Sequence, residues 1–251
     1  MHLFVLAAGF ATRMYPLTKD RPKPLLEVAG LTILDHVLDQ FSATRKVAGA
    51  TVVVNRKFAP HFEEWLADTG TKGGRVPTEL VDDGVTNAAD NLGALRDLQL
   101  ALRSKRDRGW QDDFVVSGGD NLFEFPLLPF FECFESTHGT VLPVRRLTEV
   151  QPPKTYGEVE FDPAGRVTRL REKPADPMSP FAPFCLYFFP ADAMKWLDEY
   201  LGSTGNGDAP GYFLEWLALR QPIHALEISG RWFDVGSLST LERARRDFRS
   251  R

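Results

Sequence analysis

The stretch Phe4–Gly30, FVLAAGFATRMYPLTKDRPKPLLEVAG, decides the fold. A short apolar run, Leu3–Leu6, reads as a strand and breaks at Ala7-Ala8-Gly9. A segment dense in small, basic and proline residues follows before any helix can begin, and it holds Gly9, Arg13, Lys19, Arg21 and Lys23. A glycine at the end of a strand lets backbone N–H groups approach an anion with no Cβ in the way. Arg13 offers a planar fork for phosphate oxygens and Lys23 a mobile point charge. Pro22 and Pro24 stiffen the backbone around Lys23 and bias it towards an extended conformation. A triphosphate suits this combination. From spacing alone, a solvated proline-rich surface loop is an equal alternative, because a lone glycine loop is weak evidence.

Outward from this loop, apolar runs and amphipathic stretches alternate. Leu3–Leu6, Ala50–Val54, Glu79–Val81 and Phe114–Val116 read as strands, and Ile33–Phe41, Phe58–Ala67 and Leu92–Leu102 as helices. Such βαβα order predicts an α/β fold, Rossmann-like, with a mostly parallel mixed sheet flanked by helices. Ligands of these sheets bind beyond the carboxyl ends of the strands, where both Ala7–Lys23 and Ser117–Phe123 lie. Later, Tyr156–Phe161 and Arg166–Arg171 flank the turn Asp162-Pro163-Ala164-Gly165 and predict a β-hairpin insertion. Phe184–Phe189 and Ile223–Ile228 read as strands, and Ala191–Tyr200, Tyr212–Arg220 and Leu238–Phe248 as helices. Ser203–Pro210, rich in Gly and Asp, reads as a flexible loop. Without repeat, low-complexity tract or linker, residues 1–251 read as a single domain.

The totals remove several functional classes. Thirty basic against thirty-four acidic residues give a formal charge of −4, which speaks against non-specific binding of nucleic acid or a membrane surface. Cys133 and Cys185 lack CxxC spacing, so neither a disulfide framework nor a thiolate zinc site is expected, in keeping with a reducing cytoplasm. The N-terminal apolar run leads straight into Gly9 and Arg13 and does not read as a signal peptide. No apolar stretch approaches the roughly 20 residues needed to cross a bilayer. The five histidines are scattered without metal spacing. The tryptophans read as packing, with Trp232 near enough to Asp234 to shape a pocket, and the Pro126–Phe134 cluster reads as a buried helix. The charge-rich end, residues 242–251, reads as a solvated helix terminus.

The segment LAAGFATRMYPLTKDRPKPLL resembles the signature of the nucleotidyltransferases that activate sugar phosphates, the glucose-1-phosphate thymidylyl- and uridylyltransferases. One position departs: Ala11 stands where that family usually has its second glycine. If the position needs φ > 0, alanine costs roughly 1 kcal/mol. Three later segments fit in order. VVSGGDNLF places Asp120 just past a strand, where a carboxylate suits a magnesium ion bridging phosphates, although a plain turn aspartate is the bland alternative. TYGEVEFDPAGRVTRLREKP resembles the family's sugar-facing hairpin, and RWFDVGSLSTLERA its W-x-D-x-G segment, whose aspartate is Asp234. The alternative reading of Asp234 is the cap of the following helix, but Ser237, immediately before Leu238, fills that role better.

The resemblance implies in-line attack by the phosphate of a sugar-1-phosphate on the α-phosphorus of an NTP, releasing pyrophosphate without a covalent enzyme intermediate. Such catalysis is positioning and charge neutralisation. It implies a nucleotide-binding half at residues 1–125 and a sugar-phosphate-binding half at residues 126–251. The implied nucleotide contacts are Leu6, Ala8, Gly9, Phe10, Ala11, Thr12, Arg13, Lys23, Gly119 and Asp120. Arg13, Lys23, Asp120 and Asp234 are the implied catalytic set, and Asp120 and Asp234 the implied ligands of Mg²⁺. Tyr156, Gly157, Glu172, Lys173 and Asp234 are implied on the sugar phosphate. Glu172 and Lys173 point to opposite faces of an ideal strand, so both reach one ligand only where the strand ends or bulges, as Pro174 allows.

The base is less legible. LVDDGVTNAADNLGALRDL replaces the family's glycine-rich base segment; Asp83, Asn87 and Asn91 stand open between reading a base edge and capping loops or helices. The DNLGAL stretch also resembles cytidylyltransferases that activate phosphocholine and related phosphoesters, so the donor reads as a pyrimidine nucleotide, dTTP, UTP or CTP. The rivals are CTP-dependent activation of a non-sugar phosphoester and a non-catalytic nucleotide-sugar sensor. A DxD glycosyltransferase fails, since Asp120 has no aspartate two positions away. The segment after the last motif is too short for the acyltransferase β-helix of bifunctional relatives, so a single activity is expected, and homo-oligomerisation is left open.

Overall fold

The computed structural model describes residues 1–69, 75–148 and 151–249. Its strands and helices run β1 (His2–Leu6), β2 (Glu27–Val28), β3 (Leu31–Thr32), α1 (Ile33–Thr44), β4 (Ala50–Val54), α2 (Ala59–Thr69), β5 (Thr78–Asp82), α3 (Ala94–Arg106), β6 (Phe114–Gly118) and β7 (Asn121–Phe123). There follow α4 (Leu128–Thr137), β8 (Thr140–Arg146), β9 (Glu158–Phe161), β10 (Val167–Arg171), β11 (Phe181–Pro183), β12 (Leu186–Phe189), α5 (Ala193–Thr204), α6 (Pro210–Ala218), β13 (Ile223–Glu227), β14 (Trp232–Asp234) and α7 (Leu238–Asp247). The main sheet is mixed. β1 is central and parallel to β4 and β6, with β5 parallel beyond β4. β12 pairs antiparallel with both β6 and β8, β11 continues along β8, and β13 lies parallel on the far side of β8.

Alternation along the strands fills both faces. Leu3, Val5, Val52, Val54 and Val115 pack under α1, α2 and α4 through Phe41, Phe62 and Phe131. Phe4, Val53, Phe114 and Val116 face α3, α5 and α6 through Leu98, Leu197 and Leu214. A third cluster, with Met14, Leu26, Phe233, Leu241 and Phe248, seats α7 over the opening loop. Two helices start on capping boxes. Thr32 accepts from Asp35 N at 3.0 Å before α1, and Ser237 accepts from Thr240 N at 3.2 Å before α7, each a cap that stabilises by about 1 kcal/mol. Ser237 thereby caps α7, and Asp234 is released from that task.

Several elements differ from the sequence reading. The strand predicted at Phe184–Phe189 is β12, which begins at Leu186; a separate strand, β11, precedes it across Phe184 and Cys185, and the register against β8 shifts between the two. β8 was hidden by Pro143, which has no N–H for a ladder and argues against a central strand. α3 begins at Ala94 because Gly93, at φ +91°, breaks the helical backbone. Ser203 and Thr204 belong to α5, which ends at left-handed Gly205, and the loop beyond packs on α3, where Leu95 N donates to Gly207 O at 3.1 Å. The helix predicted over Pro126–Phe134 is α4, and the hairpin is β9–β10. Of the charged end, residues 250–251 lie outside the described residues.

Candidate active site

β1 stops at Leu6 in the middle of the parallel strands, so the loop that follows leaves from the carboxyl edge of the sheet. Ala11 adopts the left-handed region, φ +50° and ψ +41°, at the head of a short 3-10 turn over Thr12–Met14. Thr18 Oγ1 donates to Ala11 O at 2.8 Å and Met14 N to the same carbonyl at 2.9 Å, which holds the turn closed. Alanine therefore sits in a conformation that favours glycine. Gly9 is not forced by crowding: a Cβ there meets no protein atom within 4 Å. Its bare backbone faces the cavity instead.

That cavity, of about 330 Å³, is lined by Leu6, Ala7, Gly9, Phe10, Ala11, Thr12, Arg13, Lys23, Pro24, Ala88, Asn91, Gly119 and Asp120. Arg13 is exposed and, among the described residues, makes no hydrogen bond or ion pair. Lys23 opens a second 3-10 turn after extended Pro22, and its ammonium lies 2.5 Å from Asp120 Oδ2. The remaining cations of the loop go elsewhere: Arg21 pairs with Glu27 at 3.5 Å on the surface, and Lys19 is exposed with its carbonyl bound by Lys57. Ala8 is 2% exposed and packs into the core under α3, so only its neighbours face the cavity. Asp83 and Asn87 lie outside the lining. Asp83 accepts from Val85 N at 2.7 Å and Asn87 turns to Thr86 and Asp90, leaving Asn91 as the base-edge candidate in the wall.

The second aspartate arrives from the other end of the chain. β14 pairs antiparallel with β7, setting Asp234 opposite Asn121, and Val235 N donates to Asp120 O at 3.2 Å. Burial pushes the Asp234 carboxyl up, Asp120's charge adds to that, and Lys23, Arg13 and Arg145 oppose it. Asp234 thus lies close enough to Asp120 for the two charges to repel. No group of three or more His, Cys, Asp or Glu suited to a metal occurs among the described residues. Two carboxylates completed by substrate phosphates are a common Mg²⁺ arrangement, so the donor set fits. Cys185 lies under both, and burial followed by their charges keeps its thiol protonated.

Further along the chain, β10 ends at Arg171 and Lys173 takes a left-handed backbone, φ +47°. Strand alternation is broken there, and Lys173 Nζ comes within 3.8 Å of Glu172 Oε1. Burial, more than the Lys173 charge offsets, raises the Glu172 carboxyl. Gly157 and Gly211 make room for it: a Cβ at Gly211 falls 1.9 Å from Glu172 Oε2, and one at Gly157 2.9 Å away. Gln151, which the sequence did not single out, clamps the preceding turn, accepting from Tyr156 N at 2.7 Å and donating to Gly157 O at 3.0 Å. Gly211 and Arg145 were likewise missed. A Pro-Gly pair opening a helix is a visible signal for the first, whereas Arg145 lies in the strand that Pro143 concealed.

A glycine-walled, cationic cavity at the carboxyl edge of a mixed α/β sheet, with Asp120 in its wall and Asp234 nearby, is chemically suited to an anionic ligand. The chain belongs to the nucleotidyl transferase family, whose model matches residues 3–251. It is 29% identical over 239 residues to the low-salt glycan biosynthesis nucleotidyltransferase Agl11 of Haloferax volcanii, covering 92% of this chain and 61% of that protein. It is 25% identical over 234 residues to the mannose-1-phosphate guanylyltransferase catalytic subunit beta of Drosophila melanogaster, covering 92% and 58%. The chain thus spans about three fifths of the length of these curated relatives. A Bacillus anthracis structure described as a glucose-1-phosphate thymidylyltransferase in complex with a sucrose superposes with TM-score 0.84 at 23% identity, covering 99% of this chain and 96% of that one. At that identity the likeness concerns the fold. No helix among the described residues is long and apolar enough to cross a membrane.

Proposed function

We propose that the protein transfers a nucleotidyl group from an NTP to a sugar-1-phosphate, giving an NDP-sugar and pyrophosphate. The observation that carries this is the convergence of Arg13, Lys23 and Asp120 in one cavity with Asp234 beside them, although 97 residues separate Lys23 from Asp120 in the chain. A phosphate oxygen of the acceptor attacks the α-phosphorus, the bond to the bridging oxygen of the β-phosphate breaks, and pyrophosphate leaves with that electron pair. Arg13, unpaired among the described residues, is the counter-charge for the departing pyrophosphate. Lys23 steadies the meeting of two anions at the α-phosphate. Asp120 and Asp234 would hold Mg²⁺, which supplies charge neutralisation between the phosphates when bound. Glu172 and Gly157 face the sugar and Lys173 its phosphate.

In this reading residues 1–125 supply the nucleotide side and residues 126–251 the acceptor side of one domain. The shared cores, which mix Leu3 with Phe188 and Phe4 with Leu214, support treating them as one unit. A pyrimidine triphosphate is our expected donor, with Asn91 at the base edge. GTP is the principal competitor, since relatives carry guanylyltransferase names. The reading is tested by pyrophosphate release with CTP, UTP, dTTP, GTP and ATP against a panel of sugar-1-phosphates and phosphocholine, with Mg²⁺. Release with a sugar-1-phosphate is expected. No release with any pair would sink the enzyme in favour of a sensor, and turnover of phosphocholine alone would overturn the sugar assignment.

A further inference from the structure

Arg145, near the end of β8, is held without being used by the protein. Its guanidinium is sandwiched between two rings, 4.7 Å from the Tyr156 centroid and 4.6 Å from that of Trp232. Its Nε is buried and has no hydrogen-bond partner, and among the described residues the side chain makes no hydrogen bond or ion pair. Stacking fixes the plane of the fork, but it satisfies none of the five N–H donors. The Nε is withdrawn from water while the side chain as a whole is half-buried, so an anion reaching the fork would complete a donor that the protein leaves unmet.

The stacking rings are themselves fixed and come from segments far apart in the chain, the turn before β9 and β14. Trp232 donates to Asn121 Oδ1 at 2.9 Å and stacks on Phe184 at 4.8 Å, two residues before Asp234 on β14. Tyr156 immediately precedes Gly157, on the turn that Gln151 clamps. Arg145 thereby lies near enough to Asp234 for its charge to act on that carboxyl. Lys173, the other acceptor cation, is partly neutralised by Glu172 at 3.8 Å, whereas Arg145 forms no ion pair among the described residues and acts only through space on the Asp234 carboxyl.

Resting on the transfer reaction above, we infer that Arg145 is the anchor for the phosphate monoester of the acceptor, held flat by Tyr156 and Trp232 for bidentate contact. A planar fork matches a phosphate face in a way that an ammonium cannot. The test is titration calorimetry of wild type, Arg145→Ala and Arg145→Lys with a sugar-1-phosphate, inorganic phosphate and an NTP, alongside KM for both substrates. Arg145→Ala is expected to weaken sugar-1-phosphate and inorganic phosphate binding by about tenfold or more, with NTP affinity within about twofold and partial recovery in Arg145→Lys. Unchanged phosphate affinity, equal losses for both ligands, or a wild type that binds no phosphate monoester would each overturn the assignment. Should Arg145→Ala fail to fold, Arg145→Gln, which retains a flat polar group between the rings, carries the same comparison. Binding is read without turnover. A wild type that binds phosphate through Arg145 but releases no pyrophosphate would therefore refute the transfer reaction and leave this site standing.

Discussion

Asp97 provides a sharp test of how burial shapes this domain. It lies in the first turn of α3, 4% exposed, and its Oδ1 has no hydrogen-bond partner. Burial, with the charge of Asp83 adding to it, pushes the carboxyl from its ordinary 3.8 up to about 7. Between those values the native state holds a proton that the unfolded chain has lost, so stability falls as pH rises through this window and stays low above it. At 1.36 kcal/mol per pH unit, the interval from 3.8 to about 7 sets a ceiling of about 4 kcal/mol. Water entry and local relaxation reduce the expected effect to about 1–3 kcal/mol. Asp97→Asn keeps the shape and removes the ionisation. Urea melts of both proteins at pH 5, 6, 7 and 8 should show the stability of the variant relative to wild type rising by about 1–2 kcal/mol between pH 5 and pH 8. Taking the difference between the two proteins cancels the other titrating groups. A gap that stays constant from pH 5 to pH 8 would refute the argument.

Ala11→Gly should stabilise the protein by about 0.5–1 kcal/mol, because relief of the left-handed backbone outweighs glycine's greater freedom when unfolded. A lower urea midpoint for the variant would show that the strain is absent. Gly211→Ala should raise the acceptor KM by about tenfold while sparing the NTP KM, since its Cβ would fall 1.9 Å from Glu172 Oε2. An unchanged acceptor KM would separate Glu172 from sugar recognition. Asp120→Asn should cut turnover by about 100-fold or more with circular dichroism unchanged, and surviving activity would remove Asp120 from the metal site.

Most of the sheet and its helices were legible because apolar period and turn chemistry agreed. Ala50–Val54 and the helix start at Ile33 fall where the pattern placed them. What escaped was governed by contacts distant in sequence. β8 pairs on both edges despite Pro143, since neighbouring strands rather than local propensity decide its conformation. The β7–β14 pair is three residues per strand, too short to show a period, yet it joins the two aspartates across more than a hundred residues. The site divides the same way. Gly9, Arg13 and Lys23 are legible within one loop, but Arg145, Gln151 and Gly211 act through partners that only folding supplies.

The two ends of the cleft share one device. Ala11 and Lys173, both with side chains that disfavour it, occupy the left-handed region at φ +50° and +47°. Each such residue costs about 1–2 kcal/mol and persists only where its surroundings dictate it. At Ala11 the two hydrogen bonds to its carbonyl dictate it, and the consequence is a loop that wraps the cavity. At Lys173 the consequence is that consecutive side chains, which a strand would send to opposite faces, come within 3.8 Å of each other. In both places backbone strain accompanies a local geometry that regular structure cannot provide. The same local geometry is what the proposed transfer requires: a curved anion cradle at one end, and a carboxylate beside an ammonium at the other. That coincidence argues for a binding cleft set before substrate arrives.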